Sequence, residues 1–147
     1  MSADVGGDAP RWAHLLGDPD VAAGRAGYDR MAATVAELGS VDLTGRAGVV
    51  WSLPHGADLD ANLVHLHPGG SIDSHVNDEV DIVISVIAGD GQLVIGGTSH
   101  RLCDLVVALV PKGERREIRA GSAGITYLSI HSRRSPLGIT RRPTNAI

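Results

Sequence analysis

Short β-forming runs, cut at regular intervals by glycine, proline and aspartate, constrain this chain more than any other feature. Residues 48–53 (GVVWSL) stop at Pro54, and residues 61–67 (ANLVHLH) stop at Pro68, Gly69 and Gly70. A β-branched run over 81–88 meets Gly89, Asp90 and Gly91, which turn it into 92–95; Gly96 and Gly97 turn again into 99–102. Residues 104–110 end at Pro111, and two further runs follow at 116–119 and 125–131. Glycine supplies positive φ and proline removes a ladder donor, so each cluster ends a strand. About eight short strands spaced in this way predict an antiparallel sandwich or barrel.

The flanks read differently. Residues 1–10 are small and polar and are expected to be disordered. Asp18 suits an N-cap, Pro19 the first helical position and Gly39 a helix stop. Between them Val21, Tyr28, Met31, Ala32, Val35 and Leu38 fall at helical spacing, which predicts an amphipathic helix. The expected organisation is a tail and helix over 1–40, an all-β barrel over 41–131 and a basic tail over 132–147.

Composition limits what the domain can do. At 147 residues and 43% apolar, the chain supports one domain with a real core. No apolar run approaches the roughly 18 residues of a membrane span, so no membrane partner is expected. The N-terminus lacks a secretory pattern and the sole cysteine, Cys103, allows no internal disulfide. Both features point to a cytoplasmic setting. Cys103 lies beside Leu102 and Leu105 and reads as a small buried hydrophobe rather than a nucleophile. Residues 1–110 hold 15 acids against 5 arginines, whereas residues 111–147 hold 8 bases against 2 acids. A basic end of this kind meets nucleic acid only with aromatic residues to stack on bases, and those are 3% of the chain. Nucleic acid is therefore not an expected partner. Twelve of the thirteen bases are arginine, as GC-rich bacterial coding would give.

Two stretches resemble the motifs of small single-domain cupins, which fold as a double-sheet jelly-roll barrel (double-stranded β-helix). The first family motif is a glycine, five residues, His-x-His, three or four residues, Glu, six residues and a glycine. Here Gly69, His75, Asn77, Ile82 and Gly89 keep that spacing. The second is a glycine, five residues, Pro-x-Gly, two residues, His, three residues and Asn. Leu105, Pro111, Gly113, Arg116 and Ala120 keep it. The resemblance covers residues 47–131 and implies an all-β jelly-roll cupin barrel, preceded by the N-terminal α-helix and expected as a homodimer.

The turn-setting positions match the motif and the chemical positions mostly do not. Of the four places that hold a divalent metal in the family, only His75 keeps its residue. Asn77 offers a weak carbonyl oxygen, Ile82 no donor, and Arg116 a permanent positive charge that repels a cation. The resemblance thus implies a degenerate metal site and no cofactor. A shifted alignment places Asp81 at the glutamate position. It leaves an alternative set of His75, Asn77 and Asp81 for one divalent metal such as Fe, Mn, Ni or Zn.

The remaining candidates cluster around His75. An imidazole is suited in general to acid–base work near neutral pH, which makes His75 a candidate catalytic group, and Asp81 is the second. Asp78, Glu79 and Asp81 lie within four residues; extended, Glu79 and Asp81 share a face with His75 and Asn77. Family geometry aims Arg116 inward, where it must be paired or clamp an anion, while alternation turns Arg115 and Arg119 outward. His65 and His67 share one side of a strand and, with His75, offer a three-histidine alternative against surface or packing roles. The expected function is binding of a small, anionic organic molecule in a metal-independent pocket. Asn77, Arg116 and Glu79 would contact it, and His75 or Asp81 would supply isomerase-, cyclase- or lyase-type proton transfer. The alternatives are a metal-dependent oxygenase or lyase, and a non-catalytic barrel for sensing or assembly. Phosphate loops, nucleophile elbows, CxxC pairs and HExxH helices are absent from the sequence.

Overall fold

A computed structural model describes residues 33–54 and 58–133. Among these residues, seven strands follow a 3-10 turn at Leu38–Ser40: β1 Gly48–Ser52, β2 Leu59–Leu66, β3 Ser71–Val76, β4 Ile82–Ile95, β5 Thr98–Leu102, β6 Val107–Val110 and β7 Arg115–Ser132. All pairings are antiparallel.

Two long strands, β4 and β7, each serve in two sheets. The first half of β4 pairs with the second half of β7 and with β6, and that part of β7 also pairs with β2, which carries β1. One sheet therefore runs β1-β2-β7-β4-β6. The second half of β4 pairs with the first half of β7 and with β5, while β3 lies on the far side of β7. The other sheet runs β3-β7-β4-β5. This is the antiparallel barrel expected from the spacing of the runs, in the double-sheet jelly-roll form that the resemblance implies.

The bends between sheets fall at glycines. The β4–β7 register shifts between Val86 and Ala88 and again between Gly89 and Gly91. Gly89 has φ +97°, and a Cβ there would stand 2.1 Å from the Gly124 carbonyl oxygen. The backbones cross too closely for any side chain, and the conformation itself suits only glycine. Gly89-Asp90-Gly91 is therefore a bend within one strand, not the turn between two that its composition predicts. The runs at 116–119 and 125–131 are likewise halves of β7, and the strand count falls to seven. β3 is an addition, because its mostly exposed, polar residues give no alternation to read.

Alternate residues of both sheets meet between them. Leu66, Val86, Leu93, Leu102, Ala120 and Ile125 cluster towards the glycine crossing, joined by Val64, Ile82, Ile84, Val110, Ile118 and Tyr127. The predicted helix over 18–39 falls mostly outside the described residues. Where it reaches them, residues 33–37 are not helical and only the Leu38–Ser40 turn remains. The expected basic tail lies outside them beyond residue 133. Cys103 is half-buried in the β5–β6 turn rather than fully buried.

Candidate functional site

Away from the crossing, the space between the sheets is not filled. A cavity of about 180 Å³ is walled on one side by Ile72, His75, Arg116 and Ile118 and on the other by Asn62, Val64, Ile82, Ile84, Tyr127 and Ser129, with Val49 at its margin. A second, outer chamber of about 310 Å³ is lined by His75, Val76, Asn77, Asp78, Glu79 and Arg116. His75 and Arg116 belong to both and stand at the neck between them.

Register explains that pairing. His75 on β3 is the direct cross-strand partner of Arg116 on β7, and Arg116 faces Ile95 of β4 on its other side. Along β7, Arg116, Ile118 and Ala120 are buried while Arg115 and Arg119 are exposed, as strand alternation requires. Arg116 is 8% exposed, and its Nη1 is buried with no hydrogen bond; the guanidinium has other interactions. His75 Nδ1 lies 2.8 Å from the Asp73 carbonyl oxygen. A carbonyl only accepts, so in the neutral ring Nδ1 carries the proton and Nε2 keeps its lone pair.

Asn77 and Asp81 do other work. Asn77 is buried, but its Oδ1 accepts from the Glu79 and Val80 backbone amides at 3.0 and 3.3 Å, and its carbonyl oxygen accepts from Gly113 N. Asp81 is exposed, and its Oδ1 accepts from Lys112 N at 2.9 Å. Together they fasten the β3–β4 connection to the Pro111–Gly113 turn at the barrel mouth. Asp81 lies outside both chambers, and Ile82, buried at 5%, takes the inward place. Asp81, the alternative to His75 as the proton-transfer group, therefore does not face either chamber. One residue of strand register decides it: β4 begins with Ile82 inward, which turns its neighbour out. Glu79 lines the outer chamber from an exposed position.

The donor chemistry does not fit the divalent metal that the fold family implies. The four motif positions supply one imidazole, an amide oxygen already accepting two backbone hydrogen bonds, an isoleucine and a buried arginine. The alternative set of His75, Asn77 and Asp81 fails because Asp81 faces away. Among the described residues, no three His, Cys, Asp or Glu side chains gather as a metal site. His65 and His67 pair edge to face at 5.2 Å, with His65 Nδ1 2.8 Å from Thr126 Oγ1, and His75 sits on the other sheet. Partial burial, and secondarily the charge of His67, lowers the pKa of His65.

Sequence reasoning missed three polar groups of the inner cavity. Asn62 and Ser129 are cross-strand partners, as are Val64 and Tyr127. Their signal was present: Asn62 is in phase with Val64 and Leu66, and Tyr127 and Ser129 are in phase with Ile125. Polar residues thus occupy inward places on strands whose other inward residues are apolar. Asn62 Oδ1 accepts from Ser52 Oγ at 2.6 Å, which leaves Nδ2 as the donor this amide can still offer. Burial raises the pKa of Tyr127 far above its ordinary value, against a smaller opposing pull from the charge of Arg116. The phenol stays protonated and is a donor.

Structural comparison defines the class first, a double-stranded β-helix. A protein from Klebsiella pneumoniae subsp. pneumoniae with a double-stranded β-helix domain matches with TM-score 0.59 and 18% identity, over 69% of this chain and 90% of its own. KdgF from Halomonas sp. matches with TM-score 0.54 and 20% identity, over 58% of this chain and 77% of its own. The cupin domain of Schizosaccharomyces pombe Cnp3 matches with TM-score 0.52 and 18% identity, over 56% of this chain and 61% of its own. The chain folds as a cupin barrel. No family model and no curated protein matches its sequence. Among the described residues, no helix is long and apolar enough to cross a membrane.

Proposed function

We propose that this barrel binds a small anionic organic molecule in its inner cavity without a metal, and that His75 moves a proton on it. The observation that carries the reading is Arg116, a permanent cation 8% exposed at the neck of a cavity whose walls are otherwise mostly isoleucine and valine. A guanidinium is a permanent cation whose planar fork matches a carboxylate or enolate oxygen, so its place on the cavity wall suits an anionic ligand. In the neutral ring, His75 Nε2 carries the lone pair that removes a proton from carbon beside the anionic group. Returning that proton to a different carbon completes an isomerisation with no further reactant. Arg116, beside it, holds the negative charge that develops on the oxygen. Asp81 has no part in this scheme, and Asn77 serves it only by shaping the mouth.

Calorimetric titration of the full chain with short carboxylates tests this. Wild type should bind pentanoate and not pentan-1-ol. Arg116→Gln should lose at least about tenfold in affinity while circular dichroism shows it folded, and Arg116→Lys should retain part of the binding. Equal binding of the acid and the alcohol, or unchanged affinity in a folded Arg116→Gln protein, would overturn the reading.

A further inference from the structure

The polar groups of the inner cavity sit on both facing sheets, and the two sides are chemically unlike. Arg116 and His75 project from the β3–β7 side. Asn62, Tyr127 and Ser129 project from the β2–β7 side, with isoleucine and valine between. A plain anion with an apolar tail would satisfy the first group and leave the second, with Tyr127 buried and Asn62 and Ser129 half-buried, facing methyl groups. Uncompensated donors of this kind cost binding energy, whereas a ligand oxygen placed there recovers it.

We infer that the cavity selects a short oxo- or hydroxy-monocarboxylate, with its carboxylate on Arg116 and its second oxygen, a few carbons away, accepting hydrogen bonds from Asn62 and Ser129. This rests on the anion-binding reading above and narrows it to a substrate class. Size sets the first limit. A cavity of about 150 Å³ accommodates a six-carbon ring, so about 180 Å³ holds roughly six to eight non-hydrogen atoms. Charge sets the second limit. Among the described residues lining the inner cavity, Arg116 is the one permanent cation, so a second carboxylate would be buried without a counter-charge. Donor type sets the third. Asn62 Nδ2, with Oδ1 already held by Ser52, asks for an acceptor oxygen, and the hydroxyl of Ser129 turns to match it. A ketone or hydroxyl oxygen meets all three limits; an ammonium group or a second carboxylate does not.

The test compares ligands of nearly equal size on the unmodified chain, so it needs no variant to fold. By calorimetry, 4-oxopentanoate should bind about tenfold tighter than pentanoate, the worth of one well-made hydrogen bond to a neutral group. Succinate should bind more weakly than either. Asn62→Ala and Ser129→Ala should each bring 4-oxopentanoate down towards pentanoate, and Ser129→Thr should keep most of the preference. If pentanoate binds as well as 4-oxopentanoate, the selectivity inferred here is wrong and the anion site stands. If neither acid binds the folded wild-type chain, the anion site falls and takes this inference with it.

Discussion

The two ends of the space between the sheets use the same strands to opposite effect. Near the glycine crossing, inward residues of β4 and β7 such as Val86, Ala120 and Ile125 meet their counterparts and fill the interior. Further along the same strands, Arg116, Tyr127, Ser129, Ile82 and Ile84 line a cavity. The alternation never changes; only the distance from the crossing and the polarity of the inward residue do. A cavity in this barrel therefore needs no separate loop or insertion. It arises where the core stops being apolar on strands whose pairing the packed end has already fixed.

That contrast can be broken most forcefully at the crossing. Gly89→Ala places a Cβ against the Gly124 carbonyl at φ +97°, and should cost roughly 3 kcal/mol or more by urea unfolding, since backbone can move little there. Gly113→Ala has a similar φ of +84° but open space around it, and should cost about 1 kcal/mol.

Truncating matched isoleucines sharpens the comparison. Ile125 and Ile118 are buried at 1% and 2% on the same strand, but only Ile118 faces the inner cavity. Ile125→Ala should cost about 3 kcal/mol and Ile118→Ala about 2, because the latter already lacks neighbours on one side. Equal losses would mean that the cavity end is as well packed as the crossing.

A smaller effect, of opposite sign, belongs to Leu105 in the β5–β6 turn. It stands at the glycine position of the second family motif, with φ 67° and 89% exposure. A left-handed leucine costs about 1 kcal/mol and gains little there from burial. Leu105→Gly should raise stability by about that amount in the same unfolding assay.

The smallest effect is a pH dependence. His65 has a folded-state pKa below the ordinary 6.5, so the unfolded chain takes up its proton more readily. Its contribution to stability is complete above pH 6.5 and declines as pH falls from there through the folded-state pKa. His65→Gln should therefore lose less stability than wild type between pH 7.5 and 5.5, read from urea midpoints.

Much of the fold was legible because turn chemistry is local: glycine and proline mark strand ends wherever the partners lie. The same locality misled at Gly89-Asp90-Gly91, where close approach to β7, invisible in the local sequence, makes a bend and not a turn. The inward place of Arg116 was legible too, since the family resemblance aims it there, whereas its cross-strand pairing with His75 comes from the register. Asp81 was not, because turning it outward takes a single residue of register, and its neighbour Ile82 is the better core residue. Asn62 and Ser129 went unread because a polar residue in a strand is ordinarily taken for a surface one.

The sharing of β4 and β7 has a consequence for how the molecule opens. Hinged halves can part like book covers only if the spine bends, and here the spine is two continuous hydrogen-bonded strands. Neither sheet can melt without unzipping a strand that the other needs. Amide protons on both halves of β4 and β7 should thus exchange with solvent together and only on global unfolding. Access to the space between the sheets should then come where the cavity meets the surface, and not by the sheets parting.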